Sequence, residues 1–317
     1  MDICGHQKIV SSLRKIIQNN HLGHAYLFIG PPKIGKKLIA QNFAKEAICK
    51  KIVTNKKEVC RKIDQKAFSD VLVFENDSTI KINDIREIQR EMSFTPMNSP
   101  YKFLILDNAE NLTEPAANSL LKFLEEPQKS VVIILITSNL DTILPTIVSR
   151  CVKIKFLPVS QGEMTKYFSL DLNAKKFKYI LSAIMLSHGH PGQVIEWIKS
   201  PESFQEKMEE IRGIAKFFSH QSDLKEKFQK VSEFSEDRFM AQVFLNELTL
   251  ICQSVLLKKV ATAKDGKKDL FSFLAENCSL EQIRIIFQKI NYYKTLLLRN
   301  INTKLILENL ALDLCEK

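Results

Sequence analysis

The chain has 317 residues, 45% of them hydrophobic, which is enough for two or three domains with cores of their own. No apolar run approaches the roughly 18 residues a membrane span needs, and Met1-Asp2-Ile3-Cys4-Gly5-His6 lacks the charged and apolar regions of a signal peptide, so a cytoplasmic protein without a membrane partner is expected. A net charge of +10 permits an anionic partner such as nucleic acid or nucleotide, although a Lys-rich composition reaches the same value without a binding face.

Ile9, Leu13, Ile16 and Ile17 follow helical spacing, and Asn19, Asn20 and Gly23 stop that helix. A strand over 25–29 then runs into Gly30-Pro31-Pro32-Lys33-Ile34-Gly35-Lys36-Lys37. Strand, loop and helix in that order suit a phosphate-binding loop, G-x-x-x-x-G-K-[ST], whose backbone N–H groups wrap phosphates while the Lys pairs with the outer ones and the hydroxyl binds magnesium. Gly30, Gly35 and Lys36 match; Lys37 replaces the hydroxyl, and Lys33 stands where another glycine would ease the wrapping. The following helix carries Ile39, Phe43 and Ala47 beside Ala40, Ala44 and Ile48, a broad buried face.

Residues 50–68, with Lys50-Lys51, Lys56-Lys57 and Arg61-Lys62, read as an irregular, solvated basic connection. A strand over 71–74 and a short helix on Ile82, Ile85, Ile88 and Met92 follow, closed by Pro96 and Pro100. The next strand, 103–106, ends in Asp107, where a fold of this kind places a magnesium-organising carboxylate; the alternative is that Asp107 caps a loop. Asn108 comes next in place of a water-polarising Glu, and a neutral amide takes no proton. Glu110 points elsewhere if the intervening chain turns, and is not read as a general base.

Thr113 and Pro115 start a helix with Leu120, Leu121 and Leu124 on its apolar face, ending at Glu125-Glu126-Pro127. The run 131–136 is a strand covered on both faces, and Thr137-Ser138-Asn139 at its tip either reach a terminal phosphate or form a turn. A helix through Ile143, Ile147 and Val148 leads to Ser149-Arg150-Cys151, and a strand over 152–156 closes the unit. From 160 the pattern is helical, broken at Ser187-His188-Gly189-His190-Pro191-Gly192; His188 and His190, with no carboxylate or cysteine beside them, suit a turn better than a metal. Amphipathic helices carry Phe239, Val243, Phe244, Leu248, Ile251 and Val255, then Ile283, Ile286, Ile290, Tyr293 and Leu297, with Lys258-Lys259 and 264–268 as the connecting loop. By themselves these stripes describe a helical bundle.

His24-Ala25-Tyr26-Leu27-Phe28 before the loop, Ala116-Ala117-Asn118-Ser119-Leu120-Leu121-Lys122-Phe123-Leu124-Glu125-Glu126-Pro127, and Ser149-Arg150-Cys151 together resemble the bacterial clamp loaders of the AAA+ superfamily. Degraded nucleotide motifs beside an intact Ser-Arg-Cys make the chain most similar to the delta-prime class of DNA polymerase III subunits, and 300–310 resembles their last helix. The resemblance implies an α/β AAA+ domain, a parallel five-stranded sheet with flanking helices, over 1–159, an all-helical lid over 160–208 and an all-helical collar over 209–317. It implies that Arg150 is an arginine finger offered in trans to ATP on a neighbouring subunit, with Ser149 shaping the motif and Cys151 packed beneath it. Lys36, Asp107 and Thr137 to Asn139 take the positions of the loop lysine, magnesium acid and first sensor. Gln193 stands where an active second sensor would have an arginine.

Implied partners are tau/gamma ATPase subunits, a delta subunit, a sliding clamp and primer–template DNA. No cofactor is required; hydrolysis by this chain is not expected, since both the hydroxyl at 37 and the carboxylate at 108 are missing, whereas Gly30, Gly35 and Lys36 leave room for weak binding of ATP or ADP. The seven cysteines (4, 49, 60, 151, 252, 278, 315) are odd in number and scattered, so neither a disulfide framework nor a C-x-x-C module is supported and reduced thiols are expected. Delta-prime members often carry four clustered cysteines as a zinc module; only Cys49 and Cys60 stand in that region, so zinc is not expected. The competing reading is an independent AAA+ ATPase such as a helicase loader.

Overall fold

The computed structural model describes residues 3–52, 56–64, 68–97, 99–126, 130–171, 174, 177, 179–215, 224–235, 237–260, 279–297, 299 and 301–313. Pro127 and the basic segment 264–268 lie outside them. Two compact units emerge, one of Met1–Lys178 with Ser187–Ile195 and one of Tyr179–Leu186 with Glu196–Lys317. The residues expected as a lid are thus divided between the two.

The first unit is built on β1 (Ala25–Ile29), β2 (Val71–Phe74), β3 (Lys102–Leu106), β4 (Val131–Thr137) and β5 (Val152–Lys155), all parallel, in the order β2-β3-β4-β1-β5. Its three central strands are buried along their whole length, as a parallel sheet covered by helices on both faces requires. Alternation along each strand splits the core in two. Tyr26, Phe28, Phe103, Ile105 and Ile134 face α1 (Gln7–Gln18) and α2 (Lys36–Lys51), whereas Leu27, Leu104, Leu106, Ile133 and Leu135 face α4 (Ile82–Ser93), α5 (Glu114–Glu125) and α6 (Pro145–Arg150). Thr113 caps α5 by accepting from the Ala116 N–H, as its sequence position predicts.

The irregular connection expected over 50–68 is corrected by α3 (Lys56–Asp64). Its Val59, Cys60 and Ile63 pack on the core beneath a basic outer face, and so dense a charge run hides a short helix from a reading by periodicity. The same element overturns the expectation that all the thiols are reduced: folding α3 back on α2 brings the Cα atoms of Cys49 and Cys60 to 6.4 Å, and the two form a disulfide. Cys4, Cys151 and Cys252 are buried thiols outside any disulfide.

Among the described residues, the helices of the remaining chain are α7 (Gln161–Leu170), α8 (Ile180–Leu186), α9 (Pro191–Lys199), α10 (Pro201–Ala215), α11 (Leu224–Phe234), α12 (Arg238–Val260), α13 (Leu280–Leu297) and α14 (Thr303–Asp313). In the second unit, α12, α13 and α14 bury Leu248, Ile251, Val255, Ile283, Ile290, Leu297, Leu307 and Leu310. Tyr293 donates its hydroxyl to Asp313 Oδ2 (2.7 Å), tying α13 to α14. Phe239 and Val243 lie on α12, with side chains outside the described set. Lys258 and Lys259 belong to the last turn of α12 instead of to a loop, because the helix runs on to Val260. Among the described residues no helix is long and apolar enough to cross a membrane.

Candidate functional site

The carboxyl ends of β1, β3 and β4 converge with the amino end of α2 and the opening of α9 on a cavity of about 440 Å³. That volume lies in the range of small-molecule sites, and its place outside the carboxyl ends of parallel strands is the usual one for such folds. The loop between β1 and α2 keeps the phosphate-loop path. Gly35 has φ 103°, and Lys33 adopts φ 57°, the left-handed conformation glycine takes more readily. A side chain on Gly192 would come within 2.7 Å of the Lys33 carbonyl, to which the Gly192 N–H donates (2.9 Å).

Three lysines arm the loop. Lys36 is buried, and its ammonium donates to the carbonyls of Gly30 (2.6 Å) and Pro31 (2.7 Å). Burial lowers its pKa, while the Asp107 and Glu110 carboxylates oppose that shift. Lys33 donates to Gln193 Oε1 (3.0 Å). Lys37, where a hydroxyl would sit, pairs with Glu75 and lies 3.5 Å from Asp107 Oδ2. The reason is register. Phe74 pairs with Leu106 and the Asp107 N–H donates to the Phe74 carbonyl (2.9 Å), so the next residues of β2 and β3, both acidic, stand side by side. Asp107 also accepts from the Asn108 N–H (3.1 Å), so local capping and a place in the cavity wall coexist. Lysines 33 and 36, after burial itself, depress the pKa of the half-buried His190, a mark of positive potential here.

Asn108 takes φ 54° and a 3₁₀ turn follows at Ala109–Asn111, so the chain does turn after Asp107. Even so, Glu110 lines the cavity instead of pointing away, because that turn swings it toward the tip of β4. It accepts from the Ser138 N–H (3.1 Å) and the Ser138 hydroxyl, and its Oε2 is buried with no hydrogen-bond partner among the described residues. Burial would raise the Glu110 pKa, but the hydrogen bonds from Ser138, from its own backbone N–H and from Thr137 together outweigh it and leave the carboxyl below its ordinary value. That is the wrong direction for a general base.

The cavity therefore gathers Gly35, Lys36, Lys37 and Asp107, with Thr137 and Ser138 from the first-sensor stretch. Gly30 contributes its carbonyl to Lys36. Asn139 instead accepts from the Asp141 N–H and caps a 3₁₀ turn. Ser149 and Arg150 end α6 and are not among the cavity residues: Ser149 donates to the Thr146 carbonyl, and Arg150 donates to Glu125 Oε1 (2.6 Å) and the Thr146 carbonyl (2.9 Å). Cys151 is buried, which pushes its thiol up to about 11. His188 (φ 50°) and Gly189 (φ 82°) form a turn. Glu75 is the site residue that sequence reading missed, although its place one residue past a strand repeats that of Asp107.

A magnesium ion does not fit this arrangement. The loop hydroxyl that would bind it is absent and Asp107 already faces an ammonium; among the described residues no group of three His, Cys, Asp or Glu side chains is placed to hold a metal. Both sulfurs of the only cysteines near the expected zinc module are bonded to each other.

A family model for DNA polymerase III, delta subunit, matches residues 5–160. Over these residues, just under half of its length, the chain is similar to the DNA polymerase III clamp-loader family. It is 36% identical over 156 residues to the delta-prime subunit of Bacillus subtilis, covering 48% of this chain and 47% of that one. It is 30% identical over 189 residues to the gamma subunit of Buchnera aphidicola subsp. Baizongia pistaciae, covering 58% and 51%, and 33% identical over 173 residues to the tau subunit of Bacillus subtilis, covering 52% and 31%. The chain thus spans about half the length, or less, of these curated relatives. Among solved structures, a gamma subunit-related protein of Thermotoga maritima is similar at 19% identity and a TM-score of 0.44, over 96% of this chain and 98% of that one.

Proposed function

We propose that the chain is a non-hydrolysing, delta-prime-type subunit of a replicative clamp loader, organised as core, lid and collar. It offers Arg150 to ATP held by a neighbouring tau/gamma-type subunit, joins a delta-type subunit, and helps place a sliding clamp on primer–template DNA. It needs no cofactor of its own. The observation that carries this reading is Lys37: its ammonium pairs with Glu75 and faces Asp107, where hydrolysis would require a hydroxyl and a metal ion. Asn108 supports it independently, since its amide donates to Asp77 (3.1 Å) and has no proton-accepting role.

Arg150 suits a group presented outward. Its side chain is 36% exposed, and its carboxylate partner Glu125 is 50% exposed, so the pair is a surface ion pair worth at most about 1 kcal/mol and easily exchanged for a phosphate. Arg150→Ala should leave the chain folded, because Glu125 returns to water without penalty. In a reconstituted loader with tau/gamma-type and delta-type subunits, clamp and primed DNA, the variant should cut turnover at the neighbouring site by roughly 10³-fold. Turnover equal to that of the unmodified loader would remove the finger role.

A further inference from the structure

We propose that Lys37 is a built-in counter-cation standing where a divalent metal would be, so that the cavity takes the polyphosphate tail of a nucleotide without metal. This deepens the reading of the chain as a non-hydrolysing subunit and rests on it.

A metal ion in a phosphate-loop site has two tasks, cancelling phosphate charge and bridging the phosphates to the strand-tip carboxylate. The Lys37 ammonium is placed for both. It comes from the first turn of α2, lies 3.5 Å from Asp107 Oδ2, and is held from the other side by Glu75. The parallel register of β2 and β3 fixes the two carboxylates side by side, so the ammonium sits in a two-carboxylate seat of the kind a cation occupies. A second cation there would meet the charge of the first. That like-charge repulsion disfavours adding magnesium beside Lys37.

The rest of the cavity suits a polyphosphate. Lys33 and Lys36 supply further positive charge, and burial together with these two lysines lowers the pKa of His190. Gly35 leaves open space where a side chain would stand, with nothing within 4 Å, so its backbone can be approached closely. Ile3, Leu38, Tyr167 and Ile195 give the cavity an apolar side for the base. No bond is made or broken: the site holds the nucleotide and does not cleave it.

The experiment is equilibrium binding of ADP to the full chain by calorimetry, in excess EDTA and in excess magnesium. The affinity should be the same under both conditions. In Lys37→Thr, which restores the hydroxyl and removes the ammonium, binding in EDTA should weaken by about tenfold or more, the loss of one charge-assisted contact, and magnesium should recover it. Lys37→Arg should keep metal-free binding. Wild-type binding that requires magnesium, or no binding in either condition, would overturn the proposal, and neither result depends on a variant's folding. Failure here leaves the scaffold reading standing, whereas ATP turnover by the isolated chain would remove that reading whatever the metal dependence.

Discussion

Ser138→Ala tests the link between the tip of β4 and Glu110. The substitution removes the hydroxyl that donates to Glu110 Oε1 and leaves the backbone N–H at 3.1 Å, while Oε2 stays buried without a partner. A hydrogen bond to a charged group contributes about 1.5–3 kcal/mol when buried; with both side chains reaching solvent, about 1 kcal/mol is the expected loss. For a unit of this size that corresponds to roughly 2–4 °C in its melting temperature, read by calorimetry on the first unfolding transition. The pH dependence gives the sharper check. In the folded chain the Glu110 pKa lies below its ordinary value near 4.5, so the bond's contribution is fully present above that value and is lost as pH falls through the folded-state pKa. The gap between wild type and Ser138→Ala should therefore be constant from neutrality down to mild acid, then close in stronger acid as the carboxyl is protonated in both. An equal gap at pH 7 and in strong acid, or none at pH 7, would refute the reasoning. In Glu110→Gln the same Ser138→Ala change should cost less, since the acceptor is no longer charged.

The isolated chain should show no ATPase above background, and Lys36→Ala should change nothing in that assay; turnover abolished by Lys36→Ala would contradict the part assigned to Lys37 and Asn108. Cys151, with its thiol held near pKa 11 by burial, should resist iodoacetamide at pH 8 in the native chain and react after denaturation, as peptide mass mapping would show. Leu310→Ala, at a fully buried position of α14, should destabilise the second unit by about 2–5 kcal/mol in urea unfolding, while Leu312→Ala, at an exposed position of the same helix, should stay within about 0.5 kcal/mol.

How far the sequence discloses such a molecule depends on whether a feature is local. β1, β3 and β4 are legible because a strand buried on both faces writes itself as an unbroken apolar run, and α5 because Thr113 and Pro115 mark its start. The disulfide and α3 were not legible: Cys49 and Cys60 are eleven residues apart, and only a helical hairpin hidden under lysines joins them. Glu75 was missed for a related reason. Its meaning comes from pairing with β3, and no spacing along the chain reports which strand lies beside which. Glu110 shows the converse error, since a turn after Asp107 was foreseen but not its direction.

The loop that opens α2 owes its shape to the chain's own contacts, and this explains how its signature and its departures coexist. The Gly30 N–H donates to the Thr137 carbonyl (3.2 Å), Lys36 gathers the carbonyls of Gly30 and Pro31, the His6 ring meets the Ile34 carbonyl (3.1 Å), and the Gly192 N–H holds the Lys33 carbonyl. None of these bonds needs a phosphate, a hydroxyl at position 37 or a metal. The residues at positions 37 and 108 could therefore be exchanged without disturbing the fold that places α6 and Arg150, because neither side chain is among the loop's supports.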